Sequence, residues 1–201
     1  MTLLISRREM RSRISRLTTF ILLCFLSTLG FNQSSTTTHA DTSTDSRGRF
    51  CLQPNAEIGF SVANFSTPDY ANQFWFQGDV WTDGSLKDSQ PFYCFGNDSL
   101  LYAVGYSRSG KRMVLAQVVQ QASNIRLQMI HSKSVEIIPH DNRYVFKNIF
   151  FHSSNEIRFE VNGVPMRTHL PLETSDITRF GYLVQGKGQQ VRFAIPGVKG
   201  K

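Results

Sequence analysis

Between Arg143 and Ile195 apolar and polar positions alternate more regularly than anywhere else in the chain. The stretch from Tyr144 to Phe151 is apolar-rich. From Glu156 to Val161, Ile157, Phe159 and Val161 take turns with Glu156, Arg158 and Glu160. A period of two puts the first set on one face of a strand and the charges on the other. Asn162-Gly163 follows at once, the residue pair that accepts the positive φ of a two-residue hairpin turn, so Val164–His169 is expected to return antiparallel. Pro165 then belongs at a strand start or on a sheet edge.

A similar alternation recurs over residues 56–65 and 190–195, residues 72–82 are rich in aromatics, and Gln90–Cys94 reads as a further strand. The segment from Met113 to Met129 tolerates a helix by composition, but Val114, Val118 and Val119 are β-branched and favour a strand. The pattern predicts an all-β protein, a two-sheet antiparallel β-sandwich. Three regions are expected along the chain. Residues 1–40 form an export segment, 41–52 a flexible Ser/Thr/Asp-rich lead-in, and 53–201 the sandwich domain.

The amino end carries Arg7, Arg8, Arg11, Arg13 and Arg16 before an apolar run from Leu17 to Phe31, with the small residue Ala40 beyond. A basic prefix and an apolar stretch of this length match a secretory signal. Because a spanning helix needs about twenty apolar residues, the expected location is secreted and extracellular, with an uncleaved type II membrane anchor as the alternative. Those five arginines and Glu9 account for +4 of the formal charge of +7, leaving +3 on the rest. So small a charge, with no Lys/Arg run, argues against nucleic acid as a partner. Cys24 lies in the apolar run. Cys51 and Cys94 remain and, in an oxidising compartment, are expected to pair; two buried free thiols are the alternative. Asn64 and Asn97 head glycosylation sequons, as does Asn32.

The order of elements in the second half carries a family likeness. A strand and short turn lead to Ile157-Arg-Phe-Glu-Val-Asn-Gly163, then a return strand ending in His169, then Leu170-Pro-Leu172, Ser175-Asp-Ile-Thr178, and a final alternating strand. This order resembles the carboxyl-terminal half of the galectin carbohydrate-recognition domain. Further upstream, Phe76–Val80 fits an early strand of that family, and Gly96-Asn-Asp-Ser-Leu-Leu101 resembles the segment that runs into its sugar-binding strand. The resemblance implies a galectin-like jelly roll. It also implies a His-x-Asn-x-Arg set on the concave face, where this chain places Tyr102, Val104 and Tyr106. A sugar-stacking Trp should follow, but no tryptophan occurs after Trp81. The resemblance therefore supports the fold and removes the family's sugar chemistry.

What remains for a rebuilt carbohydrate site on that sheet is Tyr102, Tyr106, Arg108, Arg112, Gln117, Arg126 and Gln128. Tyrosine stacks and donates, arginine clamps vicinal hydroxyls or an acidic group, and glutamine pairs both ways. An ordinary solvated sheet face would show the same alternation. Trp75 and Trp81 read as core or sheet-face residues rather than a ligand platform. His131, His140, His152 and His169 lack the close spacing of a zinc site, and no metal or other cofactor is called for. No nucleophile elbow, phosphate loop or HExxH motif is present, and the pairs Asp79/Asp83 and Glu156/Glu160 read as charged outer faces, so no enzyme is expected. The functional expectation is a galectin-like lectin with glycans or glycoproteins as partners and an altered sugar site. A membrane enters only through an uncleaved amino end, and a homodimer stays open. The alternative is a protein-interaction domain that keeps the fold and has lost glycan binding; a sandwich-fold glycosidase ranks third.

Overall fold

A computed structural model of the chain describes residues 35–66, 72–82, 89–121, 124–194 and 197–200. The apolar run of the expected export segment, the Asn32 sequon, the turn cluster at 67–71 and Asp83 lie outside the described residues. Fifteen strands and one 3-10 turn make up the described secondary structure. In chain order the strands are β1 (Ser35–Thr38), β2 (Ala40–Thr44), β3 (Phe50–Pro54), β4 (Ile58–Asn64), β5 (Gln73–Thr82), β6 (Gln90–Gly96), β7 (Leu101–Ser107) and β8 (Arg112–Gln121). They continue as β9 (Asn124–Ser134), β10 (Arg143–Phe151), β11 (Glu156–Val161), β12 (Val164–His169), β13 (Arg179–Gln185), β14 (Val191–Phe193) and β15 (Gly197–Gly200). The expected all-β sandwich is what the chain forms.

One sheet has seven strands in the order β1-β4-β13-β6-β7-β8-β9; the other runs β12-β11-β10-β5-β14-β3-β2, with β15 added against β5. Every ladder is antiparallel. The hairpin read from Asn162-Gly163 joins β11 to β12, with φ of 50° and 81° at the two turn residues. Asn162 also accepts the Val145 amide through Oδ1 at 2.7 Å, tying the turn to β10.

Between the sheets lies an aromatic core. Phe76 stacks on Phe180 at 4.1 Å between ring centroids, Phe74 on Phe150 at 4.8 Å, and Tyr93 meets Phe146 edge-on. Rings supply large apolar area with few rotatable bonds, which suits a layer that must fix two sheets at one spacing.

Two expectations need correction. Residues 41–52 are not a flexible lead-in: Ala40–Thr44 and Phe50–Pro54 pair as β2 and β3 at the edge of the second sheet. Their Thr and Ser residues, which look like low-complexity polar sequence, suit a solvent-facing edge strand once a ladder partner is supplied. Cys51 and Cys94 form no disulfide; both are free and buried. Leu52 faces the interior, so Cys51 faces outward from the second sheet, whereas Cys94 lies on the outward face of the first. The two sulfurs thus lie on opposite sides of the sandwich, far beyond the roughly 7 Å between Cα atoms that a disulfide spans.

Candidate functional site

Across its central strands β4, β13, β6, β7 and β8 the seven-stranded sheet is largely buried on both faces. Pairing register identifies them. Phe180, Phe95 and Tyr102 stand side by side on the interior face, as do Tyr182, Tyr93, Val104 and Leu115. The opposite face carries a second apolar cluster that includes Ile58, Phe60, Val62, Phe92, Cys94, Val114, Val118 and Leu183. A sheet face turned away from its sandwich is ordinarily wet, and in this protein it is covered because the sheet rolls over on itself.

Strands β4 and β9 are separated by β13, β6, β7 and β8, which in a flat sheet would put them about 24 Å apart at the usual strand spacing. They approach instead to within 8 Å between Cα atoms. Ile125 and Leu127 of β9 fold down onto the cluster. The middle row across the roll is Gly181, Cys94, Ala103 and Ala116, all small. Small side chains on the inside of a curve let the backbone bend, and a bulge where Leu115/Ala116 faces β9 adds local twist. Gly105 is part of the same device, since a Cβ there would lie 2.4 Å from the Phe92 ring.

Rolling leaves a trough with an apolar floor and two open mouths. The first mouth, roughly 300 Å³, has polar groups from Gln90, Ser107, Ser109, Arg112 and Gln185 over Phe92 and Val114, with Leu127 and Met129 as a wall. Ser107 accepts the Gly110 amide at 3.1 Å, and Gln90 Nε2 donates to Ser109 Oγ at 3.4 Å. The second mouth, roughly 280 Å³, contains Asn97, Asp98, Gln120 and Arg179 above Phe60 and Leu101. There Arg179 donates from Nε and Nη2 to Asp98 Oδ1, both at 2.7 Å, so its charge is met within the protein. Asn97 Oδ1 caps the β6–β7 turn by accepting the Ser99 and Leu100 amides.

Of the seven residues expected to form a carbohydrate site, only Arg112 lines a mouth of the trough. Tyr102 and Tyr106 are 3% and 2% exposed and point into the sandwich interior. The offset is one residue: Leu101, Ala103, Gly105 and Ser107 occupy the face assigned to Tyr102, Val104 and Tyr106. A slip of one exchanges the faces of a whole strand. Tyr106 has a structural task, donating to the Val135 carbonyl at 3.3 Å and accepting the Ile137 amide at 2.9 Å. Gln117 shares its cross-strand row with Tyr102 and Gln128, so both glutamines, and Arg126 beside Val119, lie on the face away from the trough. Arg108 sits in the β7–β8 turn near Tyr144, whose hydroxyl is pushed up by burial and eased back by that charge.

The outer face of the second sheet offers less. Arg158 meets Glu160 at 2.7 Å, Arg143 meets Asp79 at 3.4 Å, and Arg167 pairs with Glu156. Trp81 lies under Arg49 at 4.6 Å and Trp75 under Lys147 at 5.9 Å, half-buried, as their reading as sheet-face residues expects. Glu156 is held below the usual carboxylate range by hydrogen bonds from Arg167 and Ser154, the wrong direction for a general acid. His152 bonds Thr174 at 2.7 Å between Nδ1 and Oγ1, and His169 is exposed. Among the described residues no group of His, Cys, Asp and Glu is placed to hold a metal ion, and no helix is long and apolar enough to cross a membrane.

The architecture has counterparts among solved structures. A carbohydrate-binding module, CBM66, from Bacillus subtilis superposes with a TM-score of 0.60 at 11% identity, covering 82% of this chain and 94% of the module. A Bacillus subtilis protein of unknown function with a galectin-like fold gives 0.52 at 10% identity, over 85% of this chain and 93% of that one. The fold is a galectin-like β-sandwich. A legume lectin-like domain from Entamoeba histolytica shares it at a TM-score of 0.58 and 10% identity, covering 84% of this chain and 91% of that domain. No protein-family model matches the sequence, and no curated protein matches it. What is common to the galectin-like sandwich is therefore backbone, while the rolled sheet and its mouths are read from this chain alone.

Proposed function

We propose that this chain is an exported, non-catalytic carbohydrate-binding module whose sugar site has moved from the middle of the sheet to the first mouth of the trough. One observation carries the reading. At that mouth Gln90, Ser107, Ser109, Arg112 and Gln185 place directional donors and acceptors beside an apolar floor and wall. Sugars present hydroxyls at their edges and C–H groups on their faces, so a site needs both kinds of surface together. The centre of the trough, lined by Gly181, Cys94, Ala103 and Ala116, has only the second kind. The lectin and carbohydrate-binding neighbours supply a backbone that is used for this purpose elsewhere. The basic and apolar amino end supports export, and the sequons at Asn64 and Asn97 both fall at the opposite end of the trough, leaving the first mouth clear.

The test is a glycan array probed with the full chain and with Gln185→Ala. Binding to a defined set of saccharides that Gln185→Ala weakens supports the reading. A blank array from folded protein favours the second one, a protein-interaction domain, for which the buried apolar centre and the exposed Met129 and Ile130 of edge strand β9 are the supporting observations.

A further inference from the structure

The two mouths differ in charge. At the second, Arg179 and Asp98 neutralise each other. At the first, Arg112 is the single charged residue of the lining, no carboxylate lines it, and the Arg112 guanidinium makes no ion pair or hydrogen bond among the described residues. Arginines on the second sheet are treated differently, since Arg49, Arg143, Arg158 and Arg167 each meet a carboxylate.

This unpaired guanidinium is also placed. It lies against Gly110, where an added Cβ would be 2.7 Å from Nε and 3.3 Å from Nη2, so the glycine opens the space the guanidinium fills. The same added Cβ would be 2.9 Å from Ser107 Oγ, which is itself held by the Gly110 amide. The β7–β8 turn thereby sets Arg112 at the rim, with the neutral polar groups of Gln90, Ser109 and Gln185 around it.

Resting on the proposed carbohydrate site, we infer that its ligand is an acidic saccharide, with a carboxylate or sulfate ester seated on Arg112 and the neutral edge of the sugar on Gln90 and Gln185. A guanidinium presents parallel N–H donors that match two oxygens of such a group, and charge-assisted pairs of this kind are about twice as strong as neutral ones. The mouth is open to water, so the pair is screened by salt.

The experiment is calorimetric titration of the full chain with a uronic-acid-terminated oligosaccharide, its neutral counterpart and inorganic sulfate, at low and high salt, repeated with Arg112→Gln and Gly110→Ala. The expected result is about tenfold or greater preference for the acidic sugar, erased by Arg112→Gln and reduced by high salt, with the neutral sugar losing less affinity than the acidic one. Gly110→Ala, which crowds both the guanidinium and Ser107 Oγ while keeping the charge, should weaken the acidic sugar more than the neutral one. Equal affinity for both sugars, untouched by Arg112→Gln, would overturn the inference and leave the carbohydrate site standing. Sulfate binding as tightly as the acidic sugar would also overturn it, since the site would then recognise an anion without a sugar. No binding of either sugar by folded protein would remove the site and the inference together.

Discussion

Across its central strands the seven-stranded sheet is dry on both faces, yet the two faces are built from different materials. Toward the sandwich the rows are aromatic and large, with Phe180, Phe95 and Tyr102 in one and Tyr182 and Tyr93 in another. Toward the trough the central row is Gly181, Cys94, Ala103 and Ala116. Large rings hold a second sheet at a distance; small residues let a sheet close on itself. A galectin-like sandwich can therefore lose an open groove without losing a strand, and polar chemistry is left only where the roll ends.

The contrast breaks most severely at Gly181, where a Cβ would lie 2.0 Å from the Ser61 carbonyl oxygen. Gly181→Val should cost about 3 kcal/mol or more, read as a large fall in the urea midpoint, because the obstacle is backbone and cannot swing aside. Tyr106→Phe probes the interior face. It strands the Ile137 amide and should cost about 1–3 kcal/mol in the same assay while leaving any glycan affinity unchanged. If that variant abolished binding at full stability, Tyr106 would belong to a site after all.

The cysteines sharpen the contrast chemically. Burial holds the Cys94 thiol well above its usual range on the trough side, and Cys51 is buried on the far side of the molecule. Native protein should be inert to a thiol reagent at these two positions, and denatured protein should release both without a reductant. A Cys51–Cys94 linked peptide in a non-reducing digest would contradict the assignment of faces.

The smallest effect lies at the edge of the second sheet. Asp45 is lowered to about 2 by hydrogen bonding to Arg49. A carboxyl depressed in the folded state contributes stability above its unfolded value, about 3.8, and loses it as pH falls through about 2. Asp45→Asn should flatten the stability profile slightly across that window and change nothing at neutral pH beyond a small offset; an unchanged acid slope would show that the pair is screened away.

The β10–β11–β12 hairpins are legible in the sequence because one face of β11 is polar and the other apolar, and because Asn162-Gly163 admits a single kind of turn. β7 is not. Its residues on both faces are buried, so alternation has no polar phase to anchor it, and a reading from sequence puts Tyr102 and Tyr106 on the wrong side by one residue. Arg112 stands out as a candidate, but its companions Gln90, Ser107, Ser109 and Gln185 do not, since each stands at or beside a strand end and they meet only after the sheet curls. The signal that could find them is a polar residue ending each strand whose middle is small or apolar on the same face. Joining Cys51 to Cys94 by counting cysteines ignores which face of which sheet each one occupies.

The most direct test of the closed trough with recognition at its mouth is an amide-resolved NMR titration of the full chain with an acidic oligosaccharide. Shift changes confined to Gln90, residues 107–112 and Gln185 are the predicted result. Changes running through Cys94, Ala103 and Ala116 would mean that the sheet opens and binds sugar across its centre, and would contradict a trough that stays closed.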